Sequence, residues 1–404
     1  MAIPKLSEIK KKGEEVFKRT PCLWQLQVTE TILERKQDII CVAGTGSGKT
    51  LTFWLPLLFR DGIQVVFTPL NILGAQNVSQ LNGWGIKAIS ISAETATSQN
   101  LKDIEAGKYR VVVVNPEMAL GKGCAFERVW QNKEFTSKLI SVVWDEAHCI
   151  SAWGSFRKEY QDAGWLRTII PRDVPYLVPS ATLSGKLCGD VMGILEMDRR
   201  RTKFIQRSND RPNIFIDVRK IVYSLSSFRD LLFLIPEDWK PSDGLLKFLI
   251  FFDNISESIA AAEVLRARLL DKYKDKLVWF NSNNTHHFRE VTMDKFQEGK
   301  LWGLCCTDSF GMGIDLSDIE IIVQWKMTCN LDTLWQRFGR AARGAGSFGI
   351  VILQPRQGEG SQRIPERGDP PGREAQEDQP GTRKAEEEGE DRVRAEPRGI
   401  AKQW

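Results

Sequence analysis

At 404 residues, 42% hydrophobic and 27% charged, the chain is long enough for two or three domains with an ample apolar core. Its net charge of +4 is too small for basicity alone to argue for a nucleic-acid partner. The eight cysteines (Cys22, Cys41, Cys124, Cys149, Cys188, Cys305, Cys306, Cys329) form no C-x2-C pair, and the histidines are only His148, His286 and His287, so neither a zinc site nor a disulfide framework is expected.

The N-terminal extension, residues 1–20, lacks the apolar core of a signal peptide, and no apolar run in the chain reaches membrane-spanning length. An intracellular, soluble protein with no membrane partner is the expectation. Its Lys10-Lys11-Lys12 triplet reads as a solvated helix face. The first strong element is the apolar strand 38–42 (DIICV), which runs into Ala43-Gly44-Thr45-Gly46-Ser47-Gly48-Lys49-Thr50 and then into an apolar, helix-compatible stretch, 51–59. This is a phosphate-cradling P-loop in its strand-loop-helix setting. The glycines let the main chain approach the phosphates, Lys49 places a point charge on the outer ones, and the Thr50 hydroxyl is a magnesium ligand. A Gly-rich turn without a ligand is the plainer reading, and the flanking strand and helix weigh against it.

Further strands are expected at 64–68 (QVVFT), 109–114 (YRVVVV) and 140–144 (ISVVW). The last delivers Asp145-Glu146-Ala147-His148 at a strand's carboxyl end, where ligands bind in open α/β sheets. Asp145 would hold the magnesium and Glu146 would orient and polarise the attacking water. Together with the loop, this implies binding and hydrolysis of a nucleoside triphosphate.

Strand candidates continue at 175–181, 247–252, 277–280, 303–307 and 319–325, and the alternation with longer mixed segments predicts two doubly wound α/β domains of parallel sheet. The polar stretch Asp210-Arg211-Pro212-Asn213, before a strand-like run at 214–222, places the boundary, giving domains at 21–210 and 211–354. In the second domain Gln336-Arg337-Phe338-Gly339-Arg340-Ala341-Ala342-Arg343 is the notable segment. Arg340 and Arg343, three apart, are expected on one helical face, reaching across a cleft to the γ-phosphate, so that hydrolysis depends on closure. Residues 355–404 contain no Leu or Phe and carry ten basic against twelve acidic side chains; they are expected to be a disordered tail, and any protein partners are placed there.

In order and content these motifs resemble a superfamily 2 helicase, and specifically the RecQ-like DNA helicases, over roughly residues 15–354. The strings FGMGID (310–315) and DEAHCIS (145–151, a DEAH box) carry the RecQ-like resemblance. It implies two tandem RecA-like domains, with ATP and Mg2+ as cofactors and single-stranded and forked duplex DNA as partner. Gln25 of LWQLQ resembles the glutamine that reads adenine, and Gly313 and Asp315 complete the nucleotide set. His148, Ser180, Thr182 and Gln336 resemble residues that couple the site to the DNA groove. Pro69 and Gln76, then Asn254 and Thr307, resemble strand-contacting positions.

The segment 145–160, DEAHCISAWGSFRKEY, resembles an aromatic-rich loop that senses single-stranded DNA. Trp153 and Phe156 offer stacking faces for bases and Arg157 a phosphate or cation-π contact, against the alternative of two aromatics packed in the core. This loop is one residue shorter than the family pattern, and Lys158 stands where the family has proline. The resemblance covers the helicase core only, with neither a zinc module nor a helical accessory domain before the tail, which predicts a weaker grip on duplex DNA. It implies 3′ to 5′ unwinding, a role in DNA repair or recombination, and residence in the nucleus. Two other readings stay open: an RNA-stimulated ATPase or RNA helicase of the same superfamily, and a non-motor nucleic-acid-binding remnant.

Overall fold

The computed structural model describes residues 3–354 apart from 70, 122, 153–156, 311–315, 317 and 344–348. Seven parallel strands make the first sheet: β1 (Asp38–Val42), β2 (Ile63–Phe67), β3 (Ala88–Ile91), β4 (Val111–Val114), β5 (Leu139–Trp144), β6 (Tyr176–Ser180) and β7 (Thr202–Gln206), in the spatial order β3-β4-β2-β5-β6-β1-β7. The second sheet holds six, β8 (Ile214–Val218), β9 (Phe248–Phe251), β10 (Leu277–Phe280), β11 (Gly303–Cys306), β12 (Ile321–Trp325) and β13 (Gly349–Gln354), in the order β10-β11-β9-β12-β13-β8. All pairings are parallel. The expectation of two tandem RecA-like parallel-sheet domains is met, and the tail lies outside the described residues.

The central strands are continuous apolar runs because both faces are covered: every residue of β2, β4, β5 and β6 is buried. Of the helices α1 (Leu6–Phe17), α2 (Leu23–Glu34), the short α3 (Leu51–Trp54) and α4 (Asn71–Gly83), α2 and α4 pack on the first sheet, and α1 and α3 pack against α2. Phe67 of β2 and Trp144 of β5 stack at 4.0 Å with nearly parallel rings, which locks the two strands whose ends carry the site. The helix expected over 51–59 is α-helical only to Trp54 and continues as a 3-10 turn, Leu55–Leu58. Pro56 is the reason, since it has no N–H to give the helical ladder.

Three strands were not anticipated from sequence. β3 is only four residues long, β7 mixes Thr, Lys and Gln into its run, and β13 follows the arginine segment. In the second domain the buried guanidinium of Arg337 ties separate loops together. It donates to Asp253 Oδ1 (2.7 Å), Asp308 Oδ1 (2.7 and 3.0 Å) and Gln324 Oε1 (2.6 Å). Arg337→Ala should destabilise the chain by about 1 to 3 kcal/mol, because the buried Gln324 Oε1 loses its donor while the exposed Asp253 and Asp308 rehydrate. Denaturant unfolding of the variant against the wild type measures this.

Candidate active site

The strand order brings the motifs together. β6 lies between β5 and β1, so the loops leaving the carboxyl ends of three adjacent strands share one rim. Main-chain bonds pin them: Ala43 N donates to Ser180 O (3.0 Å), and Ala147 N to Pro179 O (3.1 Å).

Along the loop after β1, Gly46 and Gly48 have φ of 79° and 81°, a left-handed conformation that glycine adopts without penalty. A Cβ on Gly48 would also stand 2.9 Å from Gln25 Nε2. Lys49 donates to the carbonyls of Ala43 (2.9 Å) and Gly44 (3.3 Å), and its burial pulls its pKa below the usual lysine value against the opposing charges of Glu146 and Asp145. Thr50 opens α3. Ser47 Oγ is buried without a hydrogen-bond partner among the described residues, an orphan hydroxyl at the cavity wall. Gln25 is held at both ends of its carboxamide: Oε1 accepts from Cys22 N (2.7 Å), and Nε2 donates to Gly48 O (2.8 Å).

Asp145 and Glu146 follow β5. Glu146 adopts φ 49°, a strained conformation for a residue with a side chain, and its amide donates to Asp145 Oδ1 (2.9 Å). Burial, then the adjacent Glu146 charge, push the Asp145 carboxyl up to about 7. Burial also opposes ionisation of Glu146, but His148, Lys49, Arg340 and Arg343 together override it and hold this carboxyl below the usual range. Two half-buried carboxyl groups side by side, with the Ser47 and Thr50 hydroxyls on the same cavity, are an oxygen donor set that fits a hard divalent cation.

A polar chain leads from Glu146 into the second domain. His148 Nδ1 lies 3.4 Å from Glu146 Oε2 and 3.2 Å from Ser180 Oγ. Ser180 Oγ donates to Thr182 O (2.8 Å) and accepts from Thr182 N (3.2 Å), so the hydrogen bond to His148 is donated by Nδ1. Nε2 then accepts from Cys149 Sγ at 3.3 Å, and burial keeps the ring neutral by lowering its pKa. Gln336 Nε2 closes the chain on Thr182 Oγ1 at 2.7 Å.

Arg340 and Arg343 both line the cavity with the P-loop, but not from a helical face. The helix Leu331–Phe338 ends first, with Gly339 at its C-cap, and Ala342 turns to φ 51°. That turn is held by Arg211 Nη2 and Asn213 Nδ2, which donate to Ala342 O at 2.8 and 2.9 Å. Tertiary hydrogen bonds, rather than a 3.6-residue repeat, aim the two arginines.

The residues expected on the nucleic-acid groove are scattered more widely. Pro69 is buried at the end of β2, where its carbonyl accepts from Arg157 Nη1 (2.8 Å), and Arg157 Nε lies 3.3 Å from Glu117 Oε1. Arg157 therefore fastens the loop after β2 to the helix Pro116–Ala119. Asn254 caps the helix Ile255–Arg266 by accepting from Glu257 N, and Thr307 Oγ1 meets Ser309 Oγ at 3.1 Å. Gln76 of α4 lines the nucleotide cavity. Trp153, Phe156, Gly313 and Asp315 lie outside the described residues.

The cavity itself holds about 520 Å³, a size suited to a nucleotide. Arg19, Asn77, Gln80 and Trp84 also line it, and sequence reading passed over all of them. The four-residue spacing of Gln76, Gln80 and Trp84 was the available signal.

A DEAD/DEAH box helicase domain matches residues 22–190 and a helicase conserved C-terminal domain matches residues 243–345. The chain is thus a tandem helicase core. Within that class it is similar to RecQ-type helicases. It is 29% identical over 335 residues to the mouse bifunctional 3'-5' exonuclease/ATP-dependent helicase WRN, covering 82% of this chain and 22% of that protein. It is 28% identical over 319 residues to the ATP-dependent DNA helicase RecQ of Haemophilus influenzae (76% and 47%) and 28% identical over 327 residues to mouse ATP-dependent DNA helicase Q1 (79% and 48%). It therefore spans less than half the length of these three relatives.

Among solved structures the fold is similar to S. cerevisiae Dbp5 bound to RNA and ADP BeF3, with a TM-score of 0.66 at 17% identity, covering 86% of this chain and 87% of that one. It is also similar to the DUF1998 helicase MrfA bound to DNA, with a TM-score of 0.69 at 17% identity, covering 88% and 52%. No helix among the described residues is long and apolar enough to cross a membrane.

Proposed function

We propose that this chain is an ATP-dependent DNA helicase that couples hydrolysis to 3′ to 5′ translocation on single-stranded DNA and to unwinding of forked duplex. The observation that carries this reading is the unbroken polar chain Glu146, His148, Ser180, Thr182, Gln336, which joins a carboxylate beside the phosphate loop to the second domain. A triphosphatase without a motor has no need of such a link. Service in DNA repair or recombination and residence in the nucleus belong to the same proposal.

In this reading the loop amides and Lys49 bind the phosphates, Gln25 contributes to adenine selection, and Glu146 takes a proton from the attacking water. Thr50 and Asp145 would hold a magnesium ion, which when bound supplies charge neutralisation to the phosphates. Arg340 and Arg343 face the γ-phosphate and make hydrolysis conditional on cleft closure. Pro69, Trp153, Phe156, Arg157, Asn254 and Thr307 are assigned to the DNA side, with Arg157 acting through the loop it fastens.

The test is ATP hydrolysis alone, with single-stranded DNA and with single-stranded RNA, beside Lys49→Ala. DNA stimulation above RNA is expected, and Lys49→Ala should lose about 100-fold or more in kcat, the usual loss when one stabilising charge leaves a phosphate site. Equal or greater stimulation by RNA would replace the DNA reading with an RNA motor, and hydrolysis without separation of a 3′-tailed duplex would leave a non-motor. Gln336→Leu should keep basal hydrolysis while lowering DNA stimulation about 10-fold, a typical size for coupling between two sites. Equal loss of basal and stimulated rates would place Gln336 in the hydrolytic site instead.

A further inference from the structure

The nucleotide cavity has a second wall that the hydrolytic machinery does not use. Gln76, Gln80 and Trp84 are spaced four apart on and just beyond α4, and all three line the cavity together with Asn77. Gln76 and Gln80 are exposed, and neither they nor Asn77 makes a side-chain hydrogen bond among the described residues, so their carboxamides keep their donor and acceptor capacity. Trp84 is half-buried on a turn closed by its own amide to Leu81 O (3.0 Å), and its ring rests edge-on against the buried Phe17 at 4.7 Å. It lines the cavity with part of its surface.

Arg19, Thr20 and Gln25 line the same cavity. Gln25 spends its carbonyl oxygen on Cys22 N and one amide hydrogen on Gly48 O, leaving one amide hydrogen and one lone pair for a ligand. Arg19 has no ion-pair partner among the described residues. A site that must hold an apolar ring with a polar edge thus has a fixed indole on one side and unspent carboxamides beside it. Aromatic faces bind bases by stacking with little regard to sequence, while carboxamides read their edges.

We propose that α4 and the turn after it form the nucleobase half of the site: Trp84 takes the face of a purine, and Gln80, one helical turn before it, hydrogen-bonds the base edge or the ribose hydroxyls. This rests on the nucleotide-binding reading above and extends it to residues outside the phosphate loop. It also gives α4 two duties, since the same segment follows the loop carrying Pro69. Movement of α4 on nucleotide binding would therefore reach that loop directly.

The test compares ADP with inorganic tripolyphosphate, both with Mg2+, by isothermal titration of the full chain, its Trp84→Leu and Trp84→Phe variants, and Gln80→Leu. Trp84→Leu should weaken ADP about 10-fold, the size of one lost base stack, and leave tripolyphosphate within about twofold. Trp84→Phe keeps a stacking face and should stay within about threefold of wild type for ADP. Gln80→Leu should weaken ADP and spare tripolyphosphate.

If Trp84→Leu leaves ADP binding unchanged, or weakens both ligands by the same factor as a general collapse would, the proposal fails. A wild type that binds tripolyphosphate as tightly as ADP also overturns it while sparing the phosphate loop. A wild type that binds neither removes the nucleotide reading itself, and this inference with it.

Discussion

Arg343→Ala should hydrolyse ATP about 10³-fold more slowly than wild type while binding ADP nearly as well, since an arginine on the γ-phosphate acts on charge that develops only in the transition state. The geometry makes the effect large. Arg343 Nε is held by Gly339 O at 2.9 Å, and the turn before it is fixed by Arg211 and Asn213 on Ala342 O. The side chain is therefore set in place before the reaction, with little ordering left to do when the transition state forms. A single-turnover rate at saturating ATP, beside an ADP titration, separates the two quantities. Loss of ADP affinity equal to the loss of rate would mean that Arg343 serves ground-state binding alone.

Glu146→Gln is expected to lower kcat by about 10³-fold with nucleotide binding intact, because the amide cannot accept the proton of the attacking water. The carboxyl is held ionised despite its burial, by the His148 ring beside it and the positive charges of Lys49, Arg340 and Arg343, which is the state a base requires. Because the fold favours the Glu146 charge, the substitution should lower folding stability somewhat, while the Asp145 carboxyl, relieved of the adjacent charge but still buried, should move down from about 7. A steady-state rate and a thermal unfolding curve on the same sample check both parts. A variant that retains more than about a tenth of wild-type kcat would exclude Glu146 as the base, since that loss is below the usual range for a general base.

The two sites differ in how readable they were. Lys49, Asp145 and Glu146 were legible because each belongs to a run whose local form follows from its own residues. Glycines at 46 and 48 permit the loop, and six apolar residues in β5 deliver Asp145 at a strand end. The arginines were located but misassigned in form. A three-residue spacing suggested a helical face, whereas the helix stops at Phe338 and the aiming is done by Arg211 and Asn213, about 130 residues earlier in the chain. Gln76 was placed on the DNA side from its motif, and the fold sets it on the nucleotide cavity. Arg157 was expected to meet a phosphate, and it holds Pro69 and Glu117. Nothing in a linear pattern reports which of several polar neighbours a long side chain will meet once the sheet order is set.

From sequence alone, the α/β character, the two-domain organisation, the phosphate loop and the acidic pair were determined, because alternating apolar runs and glycine placement act over a few residues. Only the tertiary structure decided that β6 enters between β5 and β1, and so which loops share a rim. It likewise decided that Glu146 reaches Gln336 through His148, Ser180 and Thr182, and that residues of α4 line the same cavity as Gln25 and the phosphate loop. The physical reason is that strand order and side-chain partners are settled by long-range packing of buried faces, in which residues more than a hundred positions apart compete for the same neighbours, and that competition leaves no local mark on the chain.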